Sequence, residues 1–149
     1  MDHESKRLIE RYMEAYFVVT KRMHAEIQEG IQDDITMDQF QVLDYISRHE
    51  RCTSTELADV FAVGKSSITA MITRLVDKGI LQRTRDEDDR RVVYLSLTEH
   101  GESNYRKAQQ KIMHTVSTYM VHFEAEEIEG FISAFEKLAR LIGEGSSEK

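Results

Sequence analysis

Apolar residues recur near the start of the chain at helical intervals: Leu8, Tyr12, Tyr16, Val19, Met23 and Ile27. This stripe predicts a helix from about Ser5 to Gln28, ended by Gly30. Thr36 followed three residues on by Gln39 predicts a capping box, opening a helix with Phe40, Leu43 and Ile46 inward and Val42 and Tyr45 alongside. The polar run SRHERC breaks that pattern. Thr53 and Glu56 repeat the capping signature before a short helix with Leu57, Ala58 and Phe61 on its inner face. AVGK then predicts a turn in which Gly64 supplies backbone freedom. A second helix follows from about Lys65 to Lys78, with Ile68, Ile72 and Leu75 inward and Gly79 as its stop. The period then changes from helical to alternating. Leu81 to Arg85 and Val92 to Leu97 predict two strands, joined by the loop DEDDRR, with Val93, Leu95 and Leu97 on one side and Tyr94 and Ser96 on the other. Thr98 is placed to cap a long helix to about His122 that carries Tyr105, Ile112, Val116, Tyr119 and Phe123. A last helix from about Ala125 to Ile142 carries Ile128, Phe131, Ile132, Phe135, Leu138 and Leu141, and the polar GEGSSEK is expected to fray.

The predicted class is therefore mainly α with a small β-hairpin. One domain covers residues 1–149: a winged helix-turn-helix core at about 36–98, flanking helices at about 5–30 and 99–142, and a flexible tail at 143–149. The chain contains no proline, so nothing interrupts the long terminal helices. Helix, turn, helix and hairpin in this order present one helix to a DNA major groove and the hairpin loop to the flanking backbone or minor groove. The terminal helices carry wider apolar faces than the small central unit can cover, which predicts pairing of two copies. A two-fold homodimer would set two reading helices in successive major grooves, roughly 34 Å apart.

Charge sharpens this picture. The net charge is −7, but Gly64 to Arg85 holds five cations (Lys65, Arg74, Lys78, Arg83, Arg85) against Asp77 alone. That segment is +4, leaving −11 elsewhere, so one basic face sits on an acidic body. Cys52 is the one cysteine, which excludes an intrachain disulfide and fits a reducing compartment. No apolar run is long enough to span a bilayer, and the charged N-terminus has no signal core, so the expected location is the cytoplasm with no membrane partner.

Opposite the apolar stripe, the second helix of the motif carries Lys65, Ser66, Ser67, Thr69, Ala70 and Thr73, with Arg74 beyond them. Short side chains let a backbone approach a groove, Ser and Thr bond base edges or phosphates, and a Thr methyl contacts a thymine methyl. An ordinary solvent face would carry more Glu and Lys, and this one has no acid before Asp77. In the hairpin loop, one acid can hold an arginine on the second helix of the motif while a loop arginine reaches the minor groove. Arg83 and Arg90 join the DNA-contact candidates.

The tracts TSTELADVFAVGKSSITAMITRLVDKGIL and RTRDEDDRRVVYLSLTEHG resemble the multiple antibiotic resistance regulator (MarR) family of bacterial winged-helix transcription regulators. The second tract carries that family's Asp-x-Arg wing signature at Asp89-Arg90-Arg91 and the Leu-Thr-x-x-Gly that opens the next helix. The motifs cover about a third of the chain, and the helical order agrees over nearly all of it. The resemblance implies a homodimer on an inverted-repeat operator in double-stranded DNA, with an interface built from the terminal helices. It implies Arg91 as the minor-groove arginine and Asp89 as the wing-positioning acid, set against Arg74. It also implies a repressor released by a small phenolic or other lipophilic effector. The proline common in the family's wing is missing here, which bears on the shape of the loop.

Other sensing chemistries find less footing. Some relatives sense oxidants through a first-helix cysteine, and this first helix has none. Cys52 is expected to be a thiol without a sensing role. His114 and His122 stand about 12 Å apart along one helix, too far to share an ion directly, and neither His-x-x-x-His nor Cys-x-x-Cys occurs. No metal site and no cofactor are expected, although a metal-responsive regulator stays as an alternative. Tyr12, Tyr16, Phe17, Phe40 and Tyr45 form a candidate ligand pocket between the first two helices. A winged-helix protein-interaction module without a DNA role is a second alternative; it predicts weak, salt-insensitive DNA binding. An enzyme is not expected: there is no nucleophile motif or metal cluster, and GKSS lacks the upstream glycine and strand of a phosphate loop.

Overall fold

The computed structural model describes residues 1–30 and 35–147. Its elements are α1 (His3–Gly30), α2 (Met37–Arg48), α3 (Ser54–Val60), α4 (Lys65–Asp77), β1 (Leu81–Arg85), β2 (Val93–Leu97), α5 (Glu99–Met120) and α6 (Ala125–Ser147). The chain divides into two units, Met1–Ile112 and Met113–Lys149.

The first unit holds the core. Ile35, Val42, Leu43 and Ile46 meet Leu57 and Ala58 of α3, Ile68, Ile72 and Leu75 of α4, and Leu81 and Leu95 of the hairpin. α4 buries all three of its predicted inward positions, whereas α2 buries Leu43 and Ile46 as expected but Val42 in place of Phe40, which is only partly buried. β1 and β2 pair antiparallel with Leu81 opposite Leu97 and Arg85 opposite Val93. Leu95 also receives an isolated bridge from Cys52, whose carbonyl accepts from the Leu95 amide at 2.8 Å. The hairpin is thereby tied to the body just ahead of α3.

Capping follows the sequence at most ends. Thr36 accepts from the Gln39 amide while the Gln39 side chain reaches back to the Thr36 amide, a complete capping box. α4 ends in a Schellman motif: Ile80 N–H donates to Leu75 and Gly79 N–H to Val76, with Gly79 at φ 71°. Thr98 caps α5 by accepting from the Gly101 amide at 3.0 Å.

Three local expectations need correction. At Thr53 only half the box forms, because the Glu56 carboxylate instead accepts from the Tyr45 hydroxyl at 2.9 Å. Between α3 and α4 the left-handed residue is Ala62, at φ 52°, whereas Gly64 is an extended N-cap at φ −68°. The Ala62 and Val63 amides return to Asp59 and Ala58, with the left-handed residue two positions before the glycine. Finally, α6 runs to Ser147, so GEGSS is helical rather than frayed. Each glycine costs a helix only about 1 kcal/mol, and no proline is present to stop it.

The second unit contains the end of α5, the turn at 121–124 and α6. The Glu124 amide donates to the Glu127 side chain at 3.1 Å, fixing the start of α6. Its apolar side chains stay exposed, Phe131 at 68% and Phe135 at 50%. In the first unit α1 does the same: only Ile27 is buried, while Leu8, Tyr12, Tyr16, Phe17 and Val19 are exposed.

Candidate nucleic-acid interface

α4 is held from below by Ile68, Ile72 and Leu75, which turns its opposite face outward. Lys65, Ser66, Ser67, Thr69, Ala70, Thr73 and Arg74 are all exposed on it. Its N-cap is Gly64, which offers no side-chain hydrogen bond, so the first amides of the helix are not covered by a cap. Arg83 of β1 lies against the far end of this face and donates to the Thr73 hydroxyl at 3.3 Å. A cavity of about 210 Å³, lined by Ser54, Thr69, Ile72, Arg83, Val93 and Leu95, opens between α4 and the hairpin.

The loop of the hairpin is ordered by its acids. Asp86 Oδ1 accepts from the amides of Asp88 and Asp89 at 2.8 and 3.0 Å, and its Oδ2 accepts from the Tyr94 hydroxyl at 2.8 Å. The Asp86 amide and the Val92 amide close the loop at 3.0 Å each. Asp89 takes a two-pronged contact from Arg91, Nε to Oδ1 at 3.0 Å and Nη2 to Oδ2 at 3.2 Å, and also accepts from the Arg91 amide. Arg85 donates to the Arg90 carbonyl at 2.8 Å. Both acids are held below the ordinary carboxylate range, Asp86 mainly by the amide of Asp89 and the Tyr94 hydroxyl, Asp89 mainly by the Arg91 guanidinium. The Arg91 side chain remains 91% exposed, fixed at its root and open at its face.

The expected partner of Asp89 is corrected here. Asp89 pairs with Arg91, two residues away, and Arg74 makes no ion pair among the described residues. A guanidinium two positions along the same loop reaches both carboxylate oxygens without any movement of α4. Among the described residues, the five members of the candidate ligand pocket line neither the cavity beside α1 and α2 nor the one beside α4. Phe40 stacks on Tyr105 with ring centres 5.4 Å apart, and Tyr45 packs between His49 and Phe61, so both are partly buried against the core. Tyr12, Tyr16 and Phe17 stand on the exposed face of α1. The cavity beside α1 and α2, about 360 Å³, is lined instead by His24, Ala25, Gln28, Thr36, Met37 and Asp38.

Sequence reasoning passed over Asp86 and Tyr94. An aspartate opening a loop is the ordinary signal of a side chain that bonds amides two and three residues on, and the alternating pattern already set Tyr94 on the outer face of its strand. Arg51, whose guanidinium carbon lies 5.8 Å from the Tyr94 ring centre, gave no signal in the sequence. Cys52 is buried within the core, and burial pushes its thiol up to about 12, with Glu56 adding to the shift.

The MarR family model matches residues 35–93, the stretch from the last residue before the α2 cap to the first residue of β2. A solved MepR-like protein, crystallised with pseudoligands, is 33% identical, with 90% of this chain and 95% of that chain covered and a TM-score of 0.64. The chain belongs to the MarR family. It is similar to a mutant of Escherichia coli MarR crystallised with operator DNA, at 25% identity and TM-score 0.75, covering 93% and 99% of the two chains. It is also similar to the transcriptional repressor MdtR of Bacillus subtilis, 28% identical over 72% of this chain and 70% of that protein. The mainly helical fold with its antiparallel hairpin is the winged helix of MarR structures, and the protein is a MarR-family transcriptional regulator. No helix among the described residues is long and apolar enough to cross a membrane.

Proposed function

We propose that the protein is a repressor that binds an inverted-repeat operator as a homodimer and is released by a small effector. The observation that carries the reading is the pairing of an exposed α4 face, without an acid before Asp77, with an arginine held out from the wing by its own aspartate. In this reading Ser66, Ser67, Thr69, Ala70 and Thr73 face base edges, and Lys65, Arg74, Arg83 and Arg90 meet phosphates. Arg91 enters the minor groove, and Asp89 sets its direction. Residues 36–98 read DNA, while the helices over 5–30 and 99–142 join two copies. Support for the pairing comes from the apolar residues exposed on α1 and α6, because contiguous patches of that kind mark interfaces. The similarity to MdtR supports repression, and the similarity to operator-bound MarR supports the DNA target.

A mobility-shift titration on DNA around the gene's own promoter, at several salt concentrations, tests the reading. Preference for an inverted repeat over random DNA is the expected result; equal binding to both sinks it. An effector that binds the released state better than the DNA-bound state would lower operator affinity by its differential affinity. A thermal-shift screen with phenolic and cationic lipophilic compounds tests that part, and the absence of any stabilisation counts against it.

A further inference from the structure

The wing is anchored to the body at a place that neither the groove-facing helix nor the loop explains. Arg51 lies in the turn between α2 and α3 at φ 55°, a left-handed conformation that an arginine adopts at a cost. Its neighbour Cys52 is fully buried and bridged to Leu95 of β2, so the backbone at Arg51 is fixed from one side. From there the guanidinium lies over the ring of Tyr94, 5.8 Å from its centre, within the range of a cation–π contact. Tyr94 in turn donates to Asp86, and Asp86 gathers the amides of the loop that carries Arg91. Side chains therefore form an unbroken chain from the body to the tip.

We propose that Arg51 is a positioning residue for the wing: through Tyr94 and Asp86 it fixes the loop from which Arg91 meets DNA. The inference rests on the DNA-binding reading above. A loop that is already ordered loses little freedom when it enters a groove, and affinity rises accordingly. The position of Arg51 suits this role better than a direct one, since its guanidinium is engaged on Tyr94. The charge on Arg51 also favours the ionised form of Asp86, the form that accepts from both amides and the tyrosine.

Arg51→Gly separates positioning from simple structure. Glycine accepts the left-handed backbone without strain, so the thermal midpoint should stay near that of the parent. Operator affinity should fall about tenfold, because an unbraced loop must be ordered on binding. The salt slope should not change, whereas a direct phosphate contact would lower it by about 0.9. Asp86→Asn keeps Oδ1 as acceptor for the amides and offers Nδ2 as donor to the Tyr94 oxygen, so it should bind within about threefold of the parent, while Asp86→Ala should match the loss in Arg51→Gly. Amide exchange at Asp88 and Asp89, measured on the free protein, reads loop order without DNA. It should accelerate in Arg51→Gly and Asp86→Ala only. Unchanged exchange and affinity in Arg51→Gly, or a reduced salt slope, overturns the proposal. If the parent binds no operator, the DNA reading fails while the exchange data still judge the brace.

Discussion

Asp86 and Asp89 differ in what they hold. Asp86 gathers backbone amides and a tyrosine hydroxyl, whereas Asp89 holds an exposed cation. Both carboxyls are stabilised in their charged form, so both should titrate below the ordinary aspartate value of 3.8 in carbon-detected NMR. For a depressed carboxyl, the stabilisation is complete above the unfolded value and is lost as pH falls through the folded value. Wing order should therefore persist through neutral pH and weaken only in acid, and titration of either carboxyl at or above 3.8 would contradict its hydrogen-bond assignment. Arg91→Ala should lower operator affinity about tenfold, the scale of one lost bond to a charged group. Equal binding by Arg91→Ala and the parent in a mobility shift would sink the wing assignment. At Cys52 the burial and raised thiol predict very slow reaction with a thiol reagent in the folded protein, and no loss of DNA binding on mild peroxide treatment. Loss of binding that disappears in Cys52→Ser would establish a sensing role instead.

The turns joining the elements depend on two glycines for different reasons. A methyl added at Gly101 would lie 2.0 Å from the Ile80 carbonyl oxygen, a backbone atom without an alternative rotamer. α5 packs that closely because Thr98 bonds back to the Gly79 and Ile80 carbonyls. Gly101→Ala should cost on the order of 2 kcal/mol in denaturant unfolding, an overpacking penalty. Gly79 has open space around it but sits at φ 71°, so Gly79→Ala should cost about 1–2 kcal/mol through its backbone alone. Gly79→Asn should recover part of that, whereas Gly101→Asn should not, and the opposite ranking would refute both causes. Element ends of this kind were legible wherever the signal was local. The Thr36 and Gln39 box and the Gly79 stop read directly from spacing. The α3–α4 turn did not, because Ala62 takes the left-handed place under hydrogen bonds from Ala62 and Val63 that no residue type announces. Glu56 was drawn from its cap by Tyr45, which the chain brings near only once α2 and α3 pack. The Arg91 pairing within the wing was missed for the opposite reason: a distant partner, Arg74, was chosen over one two residues away.

At the scale of the whole molecule, the proposed pairing rests on the apolar faces of the terminal helices. Phe17 on α1 and Phe131 on α6 are 62% and 68% exposed, and each stands among further exposed apolar side chains. The sequence stripes that predicted these helices are thus real, and their apolar side chains stay exposed. In the proposed homodimer a second copy would supply a self-complementary surface under two-fold symmetry. Linking two reading helices then turns the second half-site contact into an intramolecular event, which raises operator affinity by about 10²-fold or more when spacing fits. Leu138→Glu, with Phe135→Glu as a second variant, should place charge in that interface and shift sedimentation from dimer to monomer. Because the core of residues 1–112 is made without these positions, the helical signal and the wing contacts should survive. DNA binding should then persist only weakly, without preference for an inverted repeat over a single half-site. A Leu138→Glu protein that is monomeric yet retains full operator affinity would separate DNA reading from pairing. A dimer unaffected by both substitutions would move the interface away from α6.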